Sequence, residues 1–274
     1  MAWHSAAEAR PPFRWRSNDI QPIYRLNGNM DSRENAIWEH GRTRARPQGF
    51  RAQPQTWKGV MNQSEQAVGV LQRLIEQGDL KPGSMVSERD LMELTGFGRT
   101  PVREAIQRLA LNYMLRIHPN KGIEIPGISI EDQLRGLEVR RAMEVLAVEL
   151  ACERATSKNI EAIGSLATAL DQDFTLREYS ETVRQTHALI IEAAHNPYLD
   201  ALMTPLQSLS RRFWLMHVRD EQREVAHGKR LHQEILKAIA GREGARASAA
   251  SLALNSYLVE FALAVIAKMA APRN

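Results

Sequence analysis

The chain of 274 residues is poor in the features that mark secreted and membrane-spanning proteins. It has a single cysteine, Cys152, which excludes an intrachain disulfide framework and is predicted to be a buried, inert thiol. No run of 18 or more apolar residues occurs, so no membrane span is expected. The N-terminus also lacks the continuous apolar segment of a secretory signal. A cytoplasmic location is therefore the expectation.

Sequence motifs of several enzyme classes are absent as well. The chain has no glycine-rich phosphate loop, no His-Glu-x-x-His and no Gly-x-Ser-x-Gly. A metal hydrolase would need more ligands, and a general base, than His187 and His232 provide. The sequence therefore favours a binding protein over an enzyme.

Excess positive charge is confined to the start of the chain. The net charge is +4, yet residues 1–60 hold nine arginines and one lysine against five acidic residues, whereas residues 61–274 hold 26 basic and 27 acidic residues. The first segment also has five prolines and no sustained helical or strand period. Residues 1–61 are predicted to be a disordered basic extension. It is either an arm that adds phosphate contacts or sequence upstream of a true start at Met61.

Residues 62–126 predict three short helices and a hairpin. Ser64 is predicted to cap the first helix, and Ser87 with Asp90 forms a capping box at the second. Thr100 is predicted to cap the third helix, just before a proline. The runs LRIH and IEIP on either side of a PNKG turn predict two paired strands. This is the layout of a winged helix-turn-helix.

The third helix carries positive charge where its dipole disfavours it. In GFGRTPVREAIQRL the apolar residues fall on one face, so Arg103 and Gln107 face outwards, with Arg99 just before the helix. DNA phosphates and guanine edges would supply the missing countercharge if this end of the helix entered the major groove. The alternative is an ordinary solvated face, since residues 62–126 hold eight basic and eight acidic residues.

After residue 127 the pattern is helical only. Ser129 with Asp132 predicts the start of a long helix that runs to about Arg154, and residues 127–272 predict six or seven antiparallel helices around a pocket. The predicted fold class is therefore mainly α, with an N-terminal winged helix-turn-helix followed by an all-α antiparallel helical bundle.

Three polar residues interrupt apolar faces in the predicted bundle. Arg140, His187 and His232 each share a helical face with apolar neighbours, so all three are predicted to point inwards. A buried cation requires an anion, which is either a salt-bridge partner or a ligand carboxylate. A lone inward histidine is usually a hydrogen-bonded core residue. The residues alone leave the structural and the ligand-binding roles open.

The run from LKPG through SERDLMELTGFGRTPVREAIQRL to NKGIEI resembles the DNA-binding domain of GntR-type bacterial transcription regulators. The runs LEVRRAMEVLAVELA, THALIIEAAHNPYL and LHQEILKAI are similar to the all-helical FCD effector domain of the FadR-like subgroup. The resemblance implies a homodimeric repressor whose binding to an operator in double-stranded DNA responds to a small organic acid. The alternative is an effector-independent DNA-binding protein whose second domain only dimerises.

The residues predicted to bind DNA lie on the second and third helices and the wing. By the resemblance, three arginines match DNA-contacting positions, a threonine matches a phosphate contact, and a glycine matches the wing tip that approaches the minor groove. The full predicted set is Arg89, Arg99, Thr100, Arg103, Gln107, Lys121 and Gly122.

Two positions depart from the family's motif. Gly98 stands where a serine usually precedes the first arginine, which removes a cap and a hydroxyl contact. Tyr113 stands where a glycine usually follows the recognition helix. Either Asn112 takes the left-handed turn, or the helix exit is strained by about 1 kcal/mol.

The resemblance also implies an effector site in the second domain. The arginine that corresponds to Arg140 faces the effector pocket in that subgroup and often binds a carboxylate. His187 and His232 match two of the histidines that line the same pocket. These three residues are the predicted effector-binding set.

The subgroup commonly holds a divalent metal with one aspartate and three histidines. Only His187 and His232 are retained here, since Val183 stands at the aspartate position. The last-helix position falls among residues that are not histidines, namely Leu254, Asn255 and Tyr257. A tightly bound metal is therefore not expected. The alternative is Zn²⁺ or Ni²⁺ at the two histidines, completed by His227 or an effector carboxylate.

Overall fold

The computed structural model describes residues 62–270. The predicted disordered extension, residues 1–61, lies outside the described residues. In chain order the elements are α1 (Gln63–Glu76), β1 (Met85–Val86), α2 (Glu88–Thr95), α3 (Arg99–Leu111), β2 (Arg116–His118), β3 (Gly122–Glu124), α4 (Ile130–Arg154), α5 (Ser157–Ala169), α6 (Leu176–Ala193), α7 (Pro197–His217), α8 (Glu221–Ala240) and α9 (Gly244–Ala270). The predicted mainly α fold, a winged helix-turn-helix followed by a helical bundle, is confirmed.

The start of α1 differs from the prediction. The prediction that Ser64 caps α1 is wrong, because Asn62 is the cap: its side chain accepts a hydrogen bond from the Ser64 N–H at 3.1 Å, and its own N–H donates to Glu65. Ser64 is instead buried, and its hydroxyl donates to the carboxylate of Glu104. Ser64 therefore joins α1 to α3 rather than capping the N-terminus of α1.

The predicted cap of α2 is present in the structure, whereas the predicted cap of α3 is not. The capping box of Ser87 and Asp90 is confirmed, since each side chain bonds the other's backbone N–H. The prediction that Thr100 caps α3 is wrong, because the helix already begins at Arg99. Gly98 has the extended backbone of a cap residue, with φ −70° and ψ 174°, but makes no side-chain cap bond. The first N–H groups of α3 are thus left without a side-chain partner there.

The chain leaves α3 through a strained residue. Tyr113 has φ 60°, whereas Asn112 has φ −90°, so the tyrosine and not the asparagine takes the left-handed conformation. This costs about 1 kcal/mol relative to glycine. The turn carries the next two residues, Met114 and Leu115, into the core.

The predicted hairpin is confirmed, and a third strand joins it. The antiparallel sheet has the order β1-β3-β2, with Ile117 opposite Ile123 and Val86 opposite Ile123 on the other side. Gly122 has φ 109°, and a Cβ there would lie 3.0 Å from the carbonyl oxygen of Val86. The close approach of β1 therefore requires glycine at this position.

The bundle packs α4 centrally, against α6, α7, α8 and α9. Ser129 caps α4, and the helix ends at Arg154 as predicted. Cys152 is buried, and burial raises the pKa of its thiol, so it is an inert core residue. Leu209 of α7 packs against the core of the winged helix-turn-helix and so connects the bundle to it.

One described helix is apolar enough to matter for the membrane prediction. Residues 244–267 of α9 have a mean hydropathy of 1.7 and satisfy length and composition criteria for a membrane span, although only 33% of the apolar window is buried. The core helix of a soluble protein meets the same criteria, so this is weak evidence for a span. What it does show is an apolar helix that the bundle covers incompletely.

Candidate functional site

The first candidate surface is the N-terminal end of α3. The side chains of Arg99 and Arg103 are 69% and 54% exposed, and Thr100 and Gln107 are exposed beside them. The opposite face of α3 is buried, through Val102, Ala105, Ile106 and Leu109. The predicted division of α3 into a buried stripe and an outward polar face is thus present. No acidic residue stands in the first turn of α3.

A carboxylate that sequence reasoning missed holds these two arginines together. Nε of Arg103 donates to both oxygens of Glu88 at 2.8 and 2.9 Å, and Nε of Arg99 lies 3.6 Å from Glu88. Glu88 is in the first turn of α2, where the helix dipole favours an anion. The positive charge that opens α3 is therefore partly compensated across the turn of the helix-turn-helix. The contact joins residues 15 apart, so no local pattern indicated it.

The other predicted DNA-binding residues lie on α2 and the wing. Arg89 is exposed and pairs with Glu93 at 2.9 Å. Lys121 is exposed in the turn between β2 and β3. Gly122 is the first residue of β3 rather than the tip of the turn, and its structural requirement is the contact with β1. The roles of these residues in DNA binding remain predictions.

The second candidate site is a cavity of about 40 Å³ inside the bundle. It brings the three predicted effector residues together, since Arg140, His187 and His232 all line it. The remaining lining residues come from α6 to α9: Tyr179, Ser180, Val183, Ser210, Arg211, Trp214, Gly228, Leu254, Tyr257 and Leu258. A cavity of this size holds about three water molecules.

The two histidines are in different tautomers. Nδ1 of His232 lies 2.8 Å from the carbonyl oxygen of Gly228, which only accepts, so Nδ1 carries the hydrogen and Nε2 keeps a lone pair. Nδ1 of His187 lies 3.5 Å from Nη1 of Arg211, which only donates, so in His187 the hydrogen is on Nε2. Both Nε2 atoms are buried and have no hydrogen-bond partner among the described residues.

Burial keeps both imidazoles neutral. It lowers the pKa of His232 to about 4. Burial, followed by the charge of Arg140, lowers the pKa of His187 well below its ordinary value. The cavity therefore offers one neutral donor and one neutral acceptor, on rings whose centroids are 5.6 Å apart.

Arg140 already has an anion. It is 2% exposed, and its Nε and Nη2 donate to Glu144 Oε1 at 3.0 and 2.6 Å. Of the two partners that the sequence left open, the structure shows a salt bridge, but to its own helix rather than to a neighbouring one. A ligand carboxylate at Arg140 must therefore share the guanidinium with Glu144.

Arg211 is a second buried guanidinium at the cavity, and sequence reasoning missed it. Its Nη2 donates to Glu76 Oε1 at 3.0 Å and its Nε to Oε2 at 3.3 Å, in a two-point contact that joins α7 to α1. Both side chains are less than a tenth exposed. Trp214, three residues on and therefore on the same face of α7, is apolar and buried as well. The helical period that identified Arg140 applies equally here.

The residues present do not fit a divalent metal. Of the two imidazoles only that of His232 offers a free nitrogen lone pair, at Nε2, and Val183 brings no ligand atom. Asn255 donates to the carbonyl oxygen of Leu137 instead. His227 does not line this cavity but an open cleft of about 850 Å³, where its ring lies tilted against that of Tyr257. Within residues 62–270 no cluster of three or more histidine, cysteine or carboxylate ligands is placed to hold a metal.

Comparison with known proteins agrees with this arrangement. Residues 63–125 match the profile of the bacterial regulatory proteins of the gntR family, and residues 136–256 match the FCD domain. The HTH-type transcriptional regulator LutR of Bacillus subtilis (strain 168) is 27% identical over 66% of this chain and 92% of that protein. The HTH-type transcriptional regulator YdhC of the same organism is 26% identical over 51% of this chain and 64% of that protein. The chain thus spans slightly less than two thirds of YdhC.

Solved structures share the fold. Escherichia coli McbR/YncC superposes with a TM-score of 0.64 at 19% identity, over 77% of this chain and 99% of that one. The class of protein is therefore a winged helix-turn-helix joined to an all-helical bundle. The chain belongs to the GntR family of bacterial regulatory proteins, in its branch with an FCD domain. This family assignment confirms the expectation of a binding protein rather than an enzyme.

Proposed function

We propose that this protein is a homodimeric transcriptional repressor that acts in the bacterial cytoplasm. Residues 62–126 would bind an operator, and residues 127–272 would dimerise and bind a small organic acid that releases the DNA. The observation that carries the proposal is the N-terminal end of α3. There Arg99, Thr100, Arg103 and Gln107 stand exposed on a helix whose opposite face is anchored in the core. Such an end suits entry into the major groove, where arginine reads guanine through two hydrogen bonds.

The incompletely covered apolar surface supports the dimer. Leu263 and Ile266 are exposed on α9, the helix of the described chain that is long and apolar enough to meet the criteria for a membrane span. Val139 and Leu146 are exposed on α4, which packs along α9. A second copy of the chain would remove this apolar surface from water. Two copies would also place two recognition helices on one duplex, which predicts an operator made of two inverted half-sites.

Selection of DNA from a random duplex pool by the full chain tests the proposal. Enrichment of an inverted repeat is the expected result. Arg103→Ala should then lower discrimination between that repeat and random DNA by about 1 to 3 kcal/mol. Arg103→Lys should also lose discrimination while it keeps more of the non-specific affinity, because lysine lacks the planar fork.

Arg108 provides the matched control for this experiment. It is an exposed arginine in the last turn of the same helix, away from the proposed base contacts. Arg108→Ala should leave discrimination unchanged. If Arg103→Ala discriminates as well as the wild type, Arg103 does not read bases.

The alternative, a bundle that only dimerises, has one observation in its favour. The cavity of about 40 Å³ is too small for an organic acid unless its walls move. Thermal unfolding with a panel of small carboxylates separates the two functions, because a ligand at 100 times its dissociation constant adds about 2.7 kcal/mol to the stability of the folded state. The absence of any shift across the panel would favour the effector-independent protein.

A further inference from the structure

We infer that Arg211 is the residue through which the pocket acts on the DNA-binding domain. A ligand carboxylate in the pocket competes with Glu76 for Arg211 and so loosens α1 from α7. This inference rests on the function proposed above, because it takes the cavity beside Arg140 as the effector site.

Arg211 lies in the wall between two cavities. On one side it lines the cavity of about 40 Å³ inside the bundle, here called the inner cavity, together with Arg140 and His187. On the other side Arg211 and His187 line a second cavity of about 220 Å³, whose lining also includes Glu76 of α1. The guanidinium therefore lies between the proposed ligand and the winged helix-turn-helix. Since it is buried, its charge is not shielded by water from either side.

The N–H groups of Arg211 that Glu76 and Ser208 leave available are too few for a second carboxylate to bind without a cost. Glu76 occupies Nε and Nη2, and Nη2 also donates to Ser208 at 3.1 Å. Nη1 is the atom near His187, on the side of the inner cavity. A carboxylate that approaches from this side in the usual two-point manner takes Nη1 and Nη2. It therefore displaces Ser208 from the second hydrogen of Nη2 and shares the positive charge of Arg211 with Glu76, which weakens the pair that joins α7 to α1.

The loss of the Ser208 bond and the weakening of the Glu76 pair affect α1 in particular. Glu76 is in the last turn of α1, and Gln72, one turn earlier, donates to Glu76 at 2.9 Å and to Ser208 at 2.6 Å. These bonds form one polar network between α1 and α7. The small size of the inner cavity adds to the effect, because a ligand enters only if a wall yields, and Arg211 is the wall that is tied to α1.

A second link between the two domains provides the control. Arg177 of α6 donates to Asp79, just after α1, at 2.9 Å, and to Gln77 at 3.3 Å. This pair is exposed, and neither Arg177 nor Asp79 lines the inner cavity. It joins the same two parts of the chain but cannot sense an anion in the pocket. Asp79→Asn therefore matches Glu76→Gln in chemistry and differs from it in location.

The test measures competition directly, with acetate as the probe and sodium chloride of equal ionic strength as the reference. Titration calorimetry of the full chain gives the acetate affinity, and hydrogen–deuterium exchange reports the protection of α1. Glu76→Gln should bind acetate on the order of ten-fold more tightly, because the competing charged hydrogen bonds are removed. Asp79→Asn should bind as the wild type does. Acetate should speed exchange at the end of α1 in the wild type, but not in Glu76→Gln, where that exchange is already fast.

A double variant guards against an effect of misfolding. Glu76→Leu with Arg211→Met replaces the buried pair by apolar side chains of similar size, which proteins tolerate. It should keep α1 protected and lose acetate binding. The inference is overturned if Glu76→Gln binds acetate no more tightly than the wild type, or if bound acetate leaves the exchange of α1 unchanged. Acetate binding to neither protein would also overturn it, while successful operator selection would leave the DNA-binding proposal standing.

Discussion

Gly228 of α8 lies against the ring of Tyr179, at the wall of the inner cavity. A Cβ at this position would lie 2.1 Å from the hydroxyl oxygen of Tyr179 and 2.9 Å from its Cζ. Tyr179 is buried, with the rings of Phe174 and Trp214 at centroid distances of 6.5 and 5.8 Å. The ring therefore cannot swing aside into solvent, and Gly228→Ala should destabilise the protein.

The size of the effect follows from two opposing contributions. Forcing an extra methyl group into a packed core costs about 1 to 3 kcal/mol, and a contact as short as 2.1 Å places this site at the upper end. Alanine in place of glycine within a helix returns about 1 kcal/mol. The expected net loss in the free energy of unfolding is about 2 kcal/mol. In a Tyr179→Phe background the closest atom is removed but Cζ remains at 2.9 Å, so the same substitution should still destabilise the protein, by less than it does with Tyr179 in place.

Urea unfolding followed by circular dichroism, on the wild type, both single variants and the double variant, measures this coupling. Gly164→Ala is the control, since Gly164 lies within α5 and a Cβ there meets no atom within 4 Å. It should raise stability by about 1 kcal/mol. The reasoning is refuted if Gly228→Ala is as stable as the wild type, or if the substitution costs as much in the Tyr179→Phe background as it does with Tyr179 in place.

Three further predictions concern buried polar groups. The unfolded chain binds a proton at His232 near pH 6.5 but the folded chain only near pH 4, so acidification through this window should lower the free energy of unfolding by about 3 kcal/mol. Urea titrations in EDTA check this, and His232→Gln should flatten the dependence; equal slopes would contradict it. Arg212 is fully buried, its guanidinium has no hydrogen-bond partner among the described residues, and burial lowers its pKa to about 10. Arg212→Met should therefore raise the free energy of unfolding by about 1 to 2 kcal/mol, and a loss in the same titration would count against the argument. Val183→Asp should raise the affinity for Zn²⁺ or Ni²⁺ by about ten-fold in calorimetry, and an unchanged affinity would show that the missing carboxylate is not what weakens the site.

Features set by neighbouring residues could be predicted from the sequence. The capping box at Ser87 and Asp90 needs only two side chains three residues apart, and the structure has it. The same reasoning failed at Ser64, because Asn62, two residues earlier, offers the same chemistry. At the exit of α3 the sequence left Asn112 and Tyr113 open, since the left-handed residue is chosen by where the chain must turn rather than by preference.

The candidate pocket shows the same limit. Periodicity placed Arg140 inside, and its partner Glu144 stands four residues on, a spacing that could have been found in the sequence. The pair of Arg211 with Glu76 joins residues 135 apart, and no local pattern connects them. The polar partners that determine how the pocket can act are thus the part that required the structure.

Glu88 also has a consequence for the ionic balance of DNA binding. In the proposed complex, the phosphates and base edges that bind Arg99 and Arg103 leave the Glu88 carboxylate unpaired beside the duplex, where it attracts a cation from solution. The cations that the two arginines release from DNA are then partly offset by that uptake. The slope of operator affinity against salt concentration should therefore correspond to the release of fewer cations than there are arginine–phosphate contacts. Random DNA, which offers the arginines phosphates alone, must meet the same cost without base contacts to compensate for it. An internal counterion of this kind weakens indiscriminate attachment to the chromosome more than it weakens attachment to the operator.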